Sequence, residues 1–289
     1  MLDYETMMAM APVVMEQSYS GKDSCLYALA VGCGVELDDD WVYPYLSPVP
    51  PERTLAGLAS VLAAPRVATM GLGITLAGVL HGSQGLVSHL PLPPEGRVRS
   101  ETRIVEVYDR GEGRGSQVDM VRDVLDAESG VHYASLEMSF LCRYDQVAGA
   151  RPLVKVPPFA ADRAPDATIA MPTSTQSAQL FSLTGDQNPL HLRPAVAVKA
   201  GFPAAILHGM ATYGVCAVAA EKALCREGGN WAGQRLKSIS GKFVAPVFPG
   251  ETIELVLWYE ESGARIEARI PARDKVVFGD GRVTVEKVG

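Results

Sequence analysis

The chain is poor in the residues that would tie it to an oxidising compartment, to nucleic acid or to a bilayer. Its 289 residues include only five cysteines, Cys25, Cys33, Cys142, Cys216 and Cys225, with neither CxxC nor a metal-ligand spacing. They read as reduced thiols of a cytoplasmic protein, not as a disulfide framework, and no metal site is expected. Lys and Arg number 26 against 33 Asp and Glu, a formal net charge of -7. That balance argues against nucleic acid as the main partner, because a phosphate backbone demands a basic face. An unbroken apolar run of membrane length is also missing. The nearest candidate, residues 55–80, is interrupted by Pro65, Arg66, Gly71, Gly73 and Gly78, so it is expected in a soluble core. Residues 7–15 are apolar but follow Asp3 and Glu5 and no Lys or Arg, unlike a signal peptide. Val285-Glu286-Lys287-Val288-Gly289 is not a peroxisomal address.

What is present is a chain 47% hydrophobic, enough for a sizeable core. Its length suggests two domains or one duplicated domain. Residues 151–175 carry Pro152, Pro157, Pro158, Pro165 and Pro172 among small residues. They read as a linker between an N-terminal unit, 1–150, and a C-terminal unit, 176–289.

The two units follow one plan. In the second, a short Ala/Val-rich helix is expected over 195–200, then a long one over 208–225 closed by Gly228-Gly229. Strand-like runs follow over 236–248, 252–259, 265–270 and 276–285. In the first, helices are expected over 20–31 and 54–64, and strands over 85–92, 97–108, 117–125 and 131–142. A long helix wrapped by antiparallel strands is the hot-dog pattern, so the expected class is α+β, a double hot-dog. The proline-rich turns ending in Gly96 and Gly250 resemble each other at a spacing of 154. Leu80-His81-Gly82 and Leu207-His208-Gly209 stand 127 apart and therefore occupy different places, one leading into a strand and the other into a helix. Matching Tyr19-Ser20 to Phe181-Ser182, 162 apart, sets Ser24 opposite Asp186 and Leu29 opposite His191.

The chemistry concentrates in Asp186-Gln187-Asn188-Pro189-Leu190-His191. Asn is a favoured helix cap and Pro suits the first helical position, so Asp186 is expected in a loop and His191 in a first helical turn. The helix N-terminus would favour an ionised Asp186 and a neutral His191. Such a pair can deprotonate water near neutral pH. Ser182 and Thr184 lie in no G-x-S-x-G elbow and read as loop-shaping residues. His208 reads as a helix-start residue, and His81, His89 and His132 as structural or exposed.

The motif Phe181-x-x-Thr184-Gly185-Asp186-x-Asn188-Pro189-Leu190-His191 resembles the signature of the (R)-specific enoyl-CoA hydratases, hydratase 2, within the MaoC-like dehydratases. Residues 206–210 and 243–252 extend the likeness. Residues 20–32 and 80–96 are similar to the amino-terminal repeat of the two-repeat form, the hydratase 2 unit of peroxisomal multifunctional enzyme type 2. The resemblance implies a double hot-dog fold and reversible hydration of trans-2-enoyl-CoA to (3R)-3-hydroxyacyl-CoA. It implies that Asp186 and His191 hold and deprotonate the water, that Asn188 orients them, and that the Gly209 N–H is the oxyanion donor. It implies no cofactor, since the CoA thioester is the substrate. CoA phosphates call for cations, for which Arg235, Lys237 and Lys242 are the candidates. The first repeat, lacking the dyad, could have opened into a tunnel for a long or bulky acyl chain. A hot-dog acyl-CoA thioesterase and a non-catalytic acyl-CoA-binding subunit are the alternatives. Monomer and homodimer both fit.

Overall fold

In a computed structural model of the protein, residues 2–36, 39–154 and 156–287 are described; the last two positions of the C-terminal sequence read above lie outside them. In chain order the strands are β1 (Val13–Tyr19), β2 (Val79–Ser88), β3 (Gly96–Asp109), β4 (Ser116–Asp126), β5 (His132–Cys142), β6 (Arg151–Pro152), β7 (Ala167–Pro172), β8 (Gln234–Phe243), β9 (Thr252–Glu260), β10 (Gly263–Ile270) and β11 (Lys275–Lys287). The α-helices are α1 (Tyr4–Met8), α2 (Gly21–Ala30), α3 (Ser177–Ser182), α4 (Pro194–Lys199) and α5 (Gly209–Cys225).

The strands follow a two-residue period: in β4, Val118, Met120, Arg122 and Val124 are buried while Asp119, Val121 and Asp123 between them are only half-buried. All eleven join one sheet, ordered β1-β3-β4-β5-β2-β8-β11-β10-β9-β7, with β6 beside β3. Read outward from the central β2–β8 pair, both halves show the same succession. They meet in antiparallel register from Ser83 opposite Lys242 to Val87 opposite Ser238. Against the second half of the sheet lies α5, whose small residues Ala211, Ala217, Ala219 and Ala220 are all buried. Tyr213, fully enclosed, donates its hydroxyl to the Ile239 carbonyl at 3.0 Å.

Corresponding elements recur at a nearly constant spacing. β1 and β7 start 154 positions apart, β2 and β8 155, β3 and β9 156, and α2 and α3 156. This matches the spacing of Gly96 and Gly250 and corrects the 162-residue match, which is six to eight residues too long. Asp186 therefore falls opposite residues 30–32, not opposite Ser24, which donates to the Pro94 carbonyl at 2.6 Å. The expected linker is shorter than read, because residues 167–172 form β7 and pair with β9. Pro172 is tolerated there since β7 is an edge strand and Pro172 is its last residue.

The helix expected over 54–64 is a second correction. Only Ala56–Ser60 winds, as a 3-10 helix. Gly57 and Pro65 weaken any longer helix there. The carbonyls of Ala59 and Ser60, which would otherwise accept from the next helical turn, accept instead from the Arg122 guanidinium of β4, at 3.1 and 2.6 Å. Ala63 then takes a left-handed φ of 46°. Its N–H donates to Gln17 and its carbonyl accepts from the Ser100 hydroxyl.

Candidate active site

The Asp186–His191 segment is a single turn, not the start of a helix. The His191 N–H donates to the Asn188 carbonyl at 3.1 Å, and the Leu192 and Arg193 N–H groups donate to the Pro189 carbonyl. The turn stops there because Pro194 has no N–H to continue it and forces Arg193 out of helical geometry, at φ -121° and ψ 107°. Asn188 does act as a cap: its side chain accepts from the Leu190 N–H at 3.1 Å, and its own N–H donates to Asp186 Oδ1 at 3.0 Å. Gly185, at φ 131°, makes the bend that turns Asp186 outward, where its carboxylate is exposed. Ser182 and Thr184 spend their hydroxyls on the carbonyls of Gln179 and Phe181, both at 2.7 Å, and so shape this loop.

His191 is 9% exposed. Its Nδ1 lies 3.0 Å from the Ile206 carbonyl, and a carbonyl only accepts, so Nδ1 carries the proton and Nε2 keeps its lone pair. Burial holds this imidazole below its usual range, with the Ile206 carbonyl and the Asp186 charge pulling the other way. A one-turn segment has no macrodipole of consequence, so desolvation keeps His191 neutral.

His208, read as a helix-start residue, is the N-cap of α5 and also part of the site. Its ring stacks on His191 with centroids 3.9 Å apart. Its Nε2–H donates to the Asp186 backbone carbonyl at 3.0 Å, and its buried Nδ1 has no partner. Burial first, then neighbouring His191, pushes His208 down to about 4. One donor atom each from Asp186, His191 and His208 lies within 4.8 Å of the others. The three could hold a divalent ion, since a carboxylate and neutral imidazoles are ordinary ligands; equally, that gap accommodates one water bridging carboxylate and imidazole.

Gly209 follows directly, with its N–H among the first-turn groups that have no intrahelical acceptor. A Cβ there would meet the Phe243 ring at an ordinary 3.5 Å. The fold does not demand glycine at this position. The first half reaches this place too. Arg66 donates to the Gly185 carbonyl at 3.1 Å, and His81 of β2 stacks on Phe140 and meets Phe243 edge-on at 5.0 Å. His81 is pushed down to about 4 by burial, while the Asp186 charge acts in the opposite direction.

Residues 17–144 match the MFE-2 hydratase 2 N-terminal domain, and residues 158–276 match the MaoC like domain. The chain is 35% identical over 282 residues to 3-hydroxyacyl-thioester dehydratase Y of Mycobacterium tuberculosis, covering 94% of each. The chain belongs to the MaoC-like dehydratase family, in its hydratase 2 branch. It is thus a hydro-lyase by family. Enoyl-CoA hydratase ChsH3 of the same organism is 31% identical over 274 residues, covering 92% of this chain and 93% of that one. A MaoC-like dehydratase from Phytophthora capsici superimposes with a TM-score of 0.81 at 26% identity, over 99% of both chains.

In this hydratase 2 chain the three candidate cations are not gathered at the dyad. Arg235 and Lys237 share Glu286, and Arg235 also donates to Ser88 and to the His89 carbonyl. Lys242 pairs with Asp280 at 2.8 Å, near the other end of β8. His89 and His132 pack on each other on the β5 side of the first half. All five cysteines are buried and free, and no helix among the described residues is long and apolar enough to cross a membrane.

Proposed function

We propose that this protein adds water reversibly across the double bond of a trans-2-enoyl-CoA to give (3R)-3-hydroxyacyl-CoA, with the chemistry in the C-terminal repeat. The observation that carries this reading is that a carboxylate oxygen of Asp186 and a ring nitrogen of His191 lie within 4.8 Å of each other, with His191 stacked on His208, the residue just before the N–H that starts α5. Relatives named as an enoyl-CoA hydratase and a 3-hydroxyacyl-thioester dehydratase support the substrate class.

In this mechanism, water sits between Asp186 and His191 Nε2. As its oxygen attacks C3, the pair takes its proton, and the electrons of the double bond move toward the thioester oxygen. The Gly209 N–H meets that developing charge, helped by the dipole of α5. One such donor contributes about 2.7–4 kcal/mol of barrier lowering. The pair then returns a proton to C2. Asn188 acts by orienting Asp186, and the Ile206 carbonyl by fixing the His191 tautomer. Arg235, Lys237 and Lys242 are the proposed phosphate-binding cations, each exchanging a carboxylate partner for a CoA phosphate. No cofactor enters, so turnover is expected to survive a chelator. The buried free cysteines support a reducing, cytoplasmic setting.

The test is mixing the protein with crotonyl-CoA. Loss of the enoyl absorbance without release of free thiol, and a (3R) product on chiral analysis, are expected. Thiol release would make it a thioesterase, and tight binding without turnover a binding subunit.

A further inference from the structure

His208 has no step in the reaction above, yet it adjoins each residue that does. Its Nε2–H donates to the Asp186 carbonyl at 3.0 Å, its ring stacks on His191 with centroids 3.9 Å apart, and it immediately precedes Gly209, whose helix it caps. Local bonds shape the Asp186 turn but do not fix where it stands. The Asp186 carboxylate accepts from the Asn188 N–H only two residues on, which leaves the turn unattached to α5. Gly185 holds a φ of 131°, and a Cβ there would meet no described atom within 4 Å. Arg66 donates to the Gly185 carbonyl at 3.1 Å, but from an exposed side chain whose bond water can replace. His208 is 1% exposed, so its bond is a buried attachment of the turn to the start of α5.

Packing alone does not call for histidine here. Burial keeps the ring neutral, so it carries one proton; a carbonyl only accepts, which puts that proton on Nε2. Nδ1 is then a bare acceptor, enclosed and without a partner among the described residues, and an unmet buried acceptor is destabilising. Phenylalanine would fill the same space beside His191 and Phe181, whose ring lies 5.0 Å away, with no such penalty. What phenylalanine lacks is the Nε2–H. A local rule broken in this way is expected at a residue that serves the site and not the core.

We propose that His208 is a positioning residue: its Nε2–H holds the Asp186 backbone and its ring holds the plane of His191, so that carboxylate and imidazole keep one separation beside the Gly209 N–H. The proposal rests on the hydratase reading and goes beyond it, since it gives a role to a side chain that exchanges no proton with the substrate. Released from this bond, the turn would shift, and a misplacement of about 1 Å is enough to slow a reaction about a hundredfold.

The experiment compares three replacements, because a glutamine amide reaches the place of Nε2 and an asparagine amide that of Nδ1. His208→Gln keeps a donor for the Asp186 carbonyl, His208→Asn does not, and His208→Phe keeps a stacked ring without the donor. Each kcat for crotonyl-CoA is divided by the folded fraction read from near-UV circular dichroism. His208→Asn and His208→Phe are expected to lower kcat about a hundredfold with KM little changed, the pattern of lost transition-state geometry. His208→Gln is expected to exceed His208→Asn about tenfold in kcat, the size of one good hydrogen bond. A His208→Phe protein that matches the wild type, or a His208→Gln protein no better than His208→Asn, overturns the proposal. The wild type supplies a reading that needs no replacement: 15N spectra near pH 7 are expected to show His208 protonated at Nε2 and His191 at Nδ1. His208 protonated at Nδ1 would overturn the proposal as well. If the wild type hydrates crotonyl-CoA and these outcomes fail, only this proposal falls; if it does not, the hydratase reading falls, and the 15N spectra still decide whether His208 makes its bond.

Discussion

The two halves build the same five-strand succession and fill its inner face differently. In the second, residues 209–225 form α5, and its buried alanines let the sheet close around it. The matching stretch of the first half, near residues 55–71, gives two short 3-10 helices, Ala56–Ser60 and Val67–Thr69, the first resting on the buried guanidinium of Arg122. A duplicated sheet can thus lose one of its helices once the central β2–β8 pairing has joined the copies. The chemistry stays with the helix that remains, because only there do a helix start and the Asp186–His191 turn meet. The first copy contributes Arg66 and His81 to that place instead of a second site.

The sharpest way to break the comparison is His191→Ala. It is expected to lower kcat/KM for crotonyl-CoA by about a thousandfold, within the range for general acid–base residues, with circular dichroism unchanged; equal turnover would move the chemistry elsewhere. Gly209→Ala comes next: it keeps the donor N–H but sets a methyl beside it that displaces the thioester, and about a hundredfold loss is expected, without loss of the fold since its Cβ has room beside Phe243. In the first copy, Arg122→Ala should leave the Ala59 and Ser60 carbonyls buried and unmet. Its expected cost is about 3 kcal/mol of stability, read from denaturant midpoints, and an unchanged midpoint would show that the 3-10 segment needs no such anchor. Arg66→Ala removes a single exposed hydrogen bond and is expected to cost only a few-fold in kcat/KM, with no change in Tm.

Acid sharpens the same contrast. His81, His191 and His208 all lie below the ordinary 6.5 because burial favours their neutral forms, the first and last at about 4. Between pH 6.5 and 4 the unfolded chain binds more protons than the folded one, so stability is full above this window and falls as pH drops through it. The acid limb of kcat/KM is expected below 6.5, where His191 loses its lone pair; a limb above 7 would point to another base.

Much of this was legible in the sequence for local reasons. The β-strands show a two-residue period, α5 is a long run of small apolar residues, and Asp186 and His191 share one hexapeptide. What could not be read depends on distant groups. The helix expected over 54–64 is undone by Arg122, some sixty residues away. His208 joins the site by bonding across 22 residues to the Asp186 carbonyl, and His81 joins it from the other half. The helix start expected at Pro189 is a single turn because Pro194 ends it, and β7 lies among prolines that an edge strand accepts.

Asp186→Asn tests the central claim most directly, since it keeps the shape of the side chain and an oxygen for the Asn188 N–H while removing the negative charge beside His191. With secondary structure and Tm unchanged, hydration of crotonyl-CoA is expected to fall by about a thousandfold or more. Turnover close to that of the unaltered protein would contradict the account.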